Sequence, residues 1–244
     1  MSPFSLAANN SFSWRRRRIA KERPAHGATS FRNSPPATAA PQFLYEYWCG
    51  RGHGPNLRAA DLRGQCDIDE TVLRMRRAPQ PVIACVHGAA SGGGFAIALA
   101  ADVRIGGESA RMNAAFVRLG LSGCDMGVSY FLPRIVGASV AAELLLTGDF
   151  IDAARAQRVG LVSRVVPDSE LESAARPLAG DMIRNSPLGL WLTKDCLRMR
   201  LDAGSLDAAL AMEDRNQMLA IRGANFGEGV RVFVEKRPAR CQDE

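Results

Sequence analysis

Long apolar runs, histidines and paired cysteines are all scarce in this chain, and each scarcity argues against a class of function. No apolar run reaches the roughly 18 to 20 residues that a bilayer-crossing helix needs. The stretch from Phe95 to Ala101 is far shorter and rich in alanine, so a membrane protein is not expected. The three histidines, His26, His53 and His87, are widely separated. The six cysteines, Cys49, Cys66, Cys85, Cys124, Cys196 and Cys241, form no C-x-x-C pair. Neither a zinc site nor a disulfide framework is indicated, and a reducing compartment is expected. What the chain has is apolar content: 47% of 244 residues, enough for one sizeable core or a core with a small helical appendage.

Charge is unevenly placed. The net charge is +6. Arg15 to Arg18, Lys21, Arg23 and Arg32 face only Glu22 within residues 1–40, and the remainder holds 24 basic and 24 acidic residues. The tail is also rich in Ser, Pro, Asn and Ala without a sustained hydrophobic period, which predicts a tail lacking fixed structure. Three readings of it stand: a solvated extension, an Arg-rich, acid-poor transit peptide, or a nucleic-acid contact. No aromatic platform or basic groove accompanies the last, so no nucleic-acid partner is expected.

The organisation has three parts. A basic tail covers residues 1–42. An α/β body covers 43–167, opening with the turn-rich YWCGRGHGPNLRAADLRGQ segment. A helical region covers 168–244. A first helix is predicted from Asp67 to Arg77, capped near Asp67 and stopped by Pro79. Strands follow at Val82 to Val86, Val103 to Ile105 and Val162 to Val166. Helices are predicted for Ser169 to Asn185, Pro187 to Asp202, Ser205 to Ile221 and Gly227 to Lys236. No internal repeat is present.

The segment from Pro81 to Gly107, PVIACVHGAASGGGFAIALAADVRIGG, carries the chemistry. A β-branched run ends at His87-Gly88, and Gly92, Gly93 and Gly94 then open a small-residue helix that ends at Asp102. Glycines turn the backbone sharply and leave the first helical N–H groups uncovered. Such donors, aligned with the helix dipole, suit an anion or a developing oxyanion. Close helix packing is the alternative use of the three glycines.

Several further motifs follow in one register from about Val82 to Pro238. They are D-x-R-I, F-x-x-x-x-x-G-L, LLLTG, A-x-x-x-G-L-V-x-x-V-x-P, S-P…T-K and E-G…F-x-x-K-R-P. With the HG…GGG turn, this order resembles the crotonase superfamily, the enoyl-CoA hydratase/isomerase family. The resemblance implies an α/β fold in which a spiral of ββα turns is followed by a helical region that builds a homotrimer or hexamer and covers the ligand. It implies an acyl-CoA thioester as substrate, an isomerase or lyase role in fatty-acid metabolism, and neither metal nor redox cofactor. A cytoplasmic location is expected, or a mitochondrial one if the tail is a transit peptide.

In this family, reaction passes through an enolate whose charge rests on the thioester oxygen between two backbone N–H donors. By resemblance Gly93 supplies one. The other comes from a loop of the form A-G-A-D-L, matched here by Arg58-Ala59-Ala60-Asp61-Leu62, which places Ala60 as donor. Arg58 and Ala59 stand where Ala and Gly are expected. The family's opening L-N-x-P and V-x-L-x-G strands have no counterpart before Phe43, which implies a truncated chain or an N-terminal third replaced by unrelated sequence, hence an incomplete spiral core.

Hydration in the family uses two glutamates, whose positions fall on Ala96 and Phe116. The loop Gly120 to Pro133 instead places Asp125 where some isomerases of the family, such as the dienoyl-CoA type, carry a catalytic acid. Capping of a helix beginning near Met126 is its alternative role. Phe233 and Lys236 match an aromatic and a lysine placed near the CoA adenine and phosphates. Ser91 lacks the G-x-S-x-G context of a hydrolase nucleophile; local hydrogen bonding is expected of His87 and structural hydrogen bonding of Asp102. An isomerase-type proton shuttle is therefore favoured over two-glutamate hydration, with a non-catalytic crotonase-like binding or assembly protein as the alternative.

Overall fold

The computed structural model describes residues 4–8, 59–199, 202–237, 239 and 241. Residues 9–58, with most of the basic tail and most of the turn-rich segment, lie outside them. Among the described residues no helix is long and apolar enough to cross a membrane.

Two small sheets are fed alternately by the same chain. Strand β1 (Phe4–Ala8), β2 (Val82–Val86), β4 (Val103–Gly107) and β7 (Arg164–Val166) form one sheet in the order β1-β2-β4-β7, all parallel. Strand β3 (Ala89–Ser91), β5 (Arg111–Asn113) and β6 (Ile151–Asp152) form the other, with β3 and β5 parallel and β6 antiparallel to β5. Each ββ step sends one strand to each sheet before a helix returns the chain, which is the expected spiral of ββα turns.

Strand β2 is buried along its whole length because both faces of its sheet are covered, as parallel sheets require. Alternation divides its side chains. Val82, Ala84 and Val86 join the larger core with Phe95, Leu99 and Met112. Ile83 and Cys85 face the other way, against Ile105, Leu171 and Ala175. Phe95 and Leu99 are buried almost completely, each contributing about 1.5 to 3 kcal/mol over an exposed position.

Nine α-helices connect and cover the sheets among the described residues. Helix α1 spans Ala59–Arg77, α2 Gly93–Ala100, α3 Val128–Val136, α4 Ala138–Thr147 and α5 Ala153–Arg158. The C-terminal region contributes α6 (Leu171–Ile183), α7 (Pro187–Met199), α8 (Leu206–Arg222) and α9 (Ala224–Glu235). All four predicted C-terminal helices are present, with ends shifted by a few residues.

Three expectations need correction. The first helix begins at Ala59, eight residues before Asp67. Its opening residues AADLRGQC include the strong helix formers Ala, Leu, Arg and Gln, and Gly64 hid the pattern by removing a side chain at a buried position. The tail is not wholly without structure, since residues 4–8 form β1 against β2. A five-residue strand takes its stability from a neighbour's ladder and needs no long periodic pattern. The last strand begins at Arg164, not Val162, whose side chain instead enters the larger core.

Candidate active site

The glycine turn is fastened from below. The Gly92 amide donates to the Asn113 carbonyl at 3.0 Å. Ser91 Oγ donates to Asn113 Oδ1 at 2.7 Å, and the buried Asn113 side chain donates in turn to the Gly148 carbonyl at 2.8 Å. Ser91 thus locks the turn, which agrees with setting it aside as a nucleophile. Gly92 carries the special backbone geometry, φ 55° and ψ −116°, a region closed to residues with a side chain. Gly93 is the first residue of α2, so its N–H has no intrahelical acceptor. A Cβ at Gly93 would stand 3.4 Å from Met126 Sδ, so the space on the side-chain side of Gly93 is bounded by Met126.

Asp125 is held from two directions. Met126 N–H donates to Asp125 Oδ1 at 2.8 Å, and Gln65 Nε2 on α1 donates to the same oxygen at 2.5 Å. Met126 is buried and left-handed at φ 49°, a conformation costing a non-glycine residue roughly 1 to 2 kcal/mol. The capping role for the Asp125 carboxylate is corrected here. Helix α3 starts at Val128 with Gly127 as its cap, and it is the Asp125 backbone carbonyl that accepts the Val128 N–H, at 2.9 Å.

A cavity of about 590 Å³ opens beside this pair, with Asp69, Val72 and Arg76 of α1 on one wall and Asp125, Met126 and Phe131 on the other. Burial first, and the Asp125 charge second, raise the Asp69 carboxyl above its ordinary value. Tyr130 and Asp202 close another side. The Tyr130 hydroxyl donates to Asp202 Oδ2 at 2.7 Å, and burial together with this bond raises the phenol. The Arg134 guanidinium lies 3.8 Å from the Tyr130 ring centroid.

Gly93 and Asp125 are linked only indirectly, since Met126, next to Asp125 in the chain, bounds the space that a Cβ at Gly93 would take. Ala60 lies in the first turn of α1, not in a loop, where its N–H still lacks an intrahelical acceptor. Phe233 is 85% exposed on α9 and Lys236 caps that helix in a left-handed conformation. Neither lines the cavity at Asp125. Ala96 and Phe116 are sealed in the larger core at 0% and 3% exposure.

Sequence reasoning missed Gln65 and Asp69. Both stand one helical turn apart on a face of α1, and starting that helix at Ala59 is the signal that would have joined them. It also missed Lys194, the buried lysine of the S-P…T-K motif. Lys194 Nζ donates to the carbonyls of Met75 at 3.0 Å and Gln80 at 2.8 Å and pairs with Asp102 Oδ2 at 2.8 Å. Asp102 also receives Arg76 Nη1 at 3.1 Å and the Val82 N–H at 2.8 Å, in line with the structural hydrogen bonding expected of it. Burial lowers the Lys194 ammonium, which Asp102 opposes. Burial, with Arg76 nearby, also brings Arg104 down to about 10. This hub ties α7 to the end of α1 and so fixes one wall of the cavity.

Two sheets fed alternately by one chain, with a glycine turn opening a helix at their edge, define a crotonase-type fold. The chain belongs to the enoyl-CoA hydratase/isomerase family, whose model matches residues 56–244. It is 44% identical over 184 residues to a probable enoyl-CoA hydratase, EchA12, of Mycobacterium tuberculosis, covering 75% of this chain and 65% of that protein. It is 37% identical over 166 residues to the 1,2-epoxyphenylacetyl-CoA isomerase of Escherichia coli, covering 68% of this chain and 63% of that protein. The chain therefore spans slightly less than two thirds of the length of these relatives. Among solved structures, a probable enoyl-CoA hydratase/isomerase from Mycobacterium abscessus superposes with a TM-score of 0.73 at 38% identity, covering 78% of this chain and 74% of that one.

Proposed function

We propose that this protein acts on an acyl-CoA thioester and stabilises an enolate on the thioester oxygen, with Gly93 N–H as one donor and Ala60 N–H as the other. In this reading Asp125 moves the proton, and isomerisation is favoured over hydration by a glutamate pair. One observation carries the preference. The positions of the two hydratase glutamates hold Ala96 and Phe116, closed in the core, while Asp125 borders a cavity and adjoins the methionine whose sulfur a Cβ at Gly93 would meet. Phe233 and Lys236 are proposed to meet the CoA adenine and phosphates. The exposed apolar side chains Trp191, Phe226 and Val230 suit burial in a homotrimer or hexamer.

The test is turnover of short 3-enoyl and 2-enoyl CoA thioesters by wild type and Asp125→Asn. Isomerisation by wild type, reduced about 10²- to 10⁴-fold in the variant, is expected. Wild-type activity that survives the substitution would reject the Asp125 mechanism. Binding of the CoA ester without turnover would favour the non-catalytic alternative.

A further inference from the structure

The geometry points to Asp69 as a second catalytic carboxyl of this site, the acid that delivers a proton to the acyl chain after Asp125 has removed one. The inference rests on the acyl-CoA isomerase reading above and names a group that the family motifs do not supply.

Three structural facts place Asp69 there. Gln65 and Asp69 are i and i+4 on α1, so they share a face with Cβ atoms roughly 5 to 6 Å apart. Gln65 Nε2 is bonded to Asp125 Oδ1 at 2.5 Å, which brings that face of α1 against the Asp125 loop. Asp69 and Asp125 then both line the same cavity, with apolar Val72 and Met126 beside them. Two carboxyls lining one cavity resist ionising together, in keeping with the raised Asp69 carboxyl. Other charged or titratable groups facing the cavity are Arg76 and Arg77 on α1 and Cys124 beside Asp125. Tyr130 comes from α3, and Arg198 and Asp202 come from the C-terminal region. Arg76 is paired with Asp102 and Arg198 with Asp195.

The step balances without a co-reactant. In a 3-enoyl thioester the Asp125 carboxylate forms an O–H bond with the C2 proton, and the C2–H electrons pass into a dienolate whose charge rests on the thioester oxygen. As that charge returns, C4 takes the proton of the Asp69 carboxyl, whose O–H electrons remain as a carboxylate. The double bond then lies between C2 and C3. Asp125 now holds the proton taken from C2 and Asp69 is left ionised, so passage of that proton from Asp125 to Asp69 restores the pair.

The experiment compares two reactions of the full chain. One is isomerisation of a 3-enoyl-CoA. The other is exchange of the C2 proton of a saturated acyl-CoA in deuterated water, which needs removal at C2 but no delivery at C4. Asp69→Asn is expected to lose isomerisation about 10²-fold while exchange continues. Asp69→Glu is expected to restore isomerisation with a shifted alkaline limb of its pH profile, a limb absent from Asp69→Asn. Asp125→Asn is expected to lose both reactions. Isomerisation unaffected in Asp69→Asn overturns the proposal and leaves the acyl-CoA reading intact. Equal loss of both reactions in a folded Asp69→Asn, judged by circular dichroism, also overturns it in favour of a structural role. Absence of both reactions in wild type overturns the acyl-CoA isomerase reading itself and the proposal with it.

Discussion

Gln65 and Asp125, sixty residues apart in the chain, are joined by a 2.5 Å hydrogen bond from the Gln65 amide to Asp125 Oδ1. The bond fixes the carboxylate that borders the cavity to the helix that forms its opposite wall. A bond to a charged group contributes about 1.5 to 3 kcal/mol, or roughly 10- to 100-fold when realised in a transition state. Gln65→Met, which keeps length and removes the donor, is expected to lower kcat by that factor with KM little changed. Steady-state kinetics check it, and an unchanged kcat would show that Asp125 is positioned by Met126 alone.

Gly92 and Gly93 are expected to fail in different ways when changed to alanine. Gly92 holds a backbone conformation that a side chain resists, so Gly92→Ala should cost about 1 to 3 kcal/mol of stability. Gly93 sits in ordinary helical geometry, where a Cβ meets Met126 Sδ at 3.4 Å. Gly93→Ala should fold normally and lose about 10²-fold in turnover through displacement of the thioester oxygen. Urea denaturation beside turnover separates the two, and equal stability losses would contradict the assignment of strain to Gly92.

Asp102 pairs with two largely buried cations, with Arg76 and Lys194 side chains at 15% and 6% exposure. Asp102→Ala leaves both without their carboxylate and removes the acceptor of the Val82 N–H. A loss of about 3 to 5 kcal/mol is expected, read from chemical denaturation at neutral pH. A loss confined to a few tenths would mean that the carbonyls of Met75 and Gln80 suffice for Lys194.

Asp69 supplies a pH test of stability. Its carboxyl is raised in the folded protein by burial and by Asp125, so the folded state binds the proton more tightly than the unfolded chain. The stability this gives is full below the ordinary aspartate range and is lost as pH rises through the folded-state value. Above the folded-state value the ionised group is therefore a burden, and there Asp69→Asn should raise Tm relative to wild type. The gain should shrink as pH falls below the ordinary aspartate value. Thermal melts across pH check this, and a Tm difference independent of pH would contradict it.

The family, the strand and turn from Val82 to Gly92, and the four C-terminal helices were all legible in the residues. These features are local or rest on motif order, with a β-branched run ending in glycines and periodic helices bounded by Pro, Ser and Gly. The start of α1 was not legible, because Gly64 interrupts the pattern while neighbouring structure covers it. Strand β1 was not legible either, since a short strand is made by its partner's ladder.

Sequence by itself determined which residues were eligible for chemistry: a glycine turn able to present an N–H, an aspartate in the loop after G-L, and apolar residues at both hydratase-glutamate positions. Only the tertiary structure decided which of them meet. Asp125 proved to be bound to Gln65 and to share a cavity with Asp69, and Asp102 proved to be the counter-charge of Lys194. Local propensity acts over a few residues and can be read along the chain. Contacts across sixty or ninety residues depend on how two sheets and a helix pack, and that packing is written in no single segment.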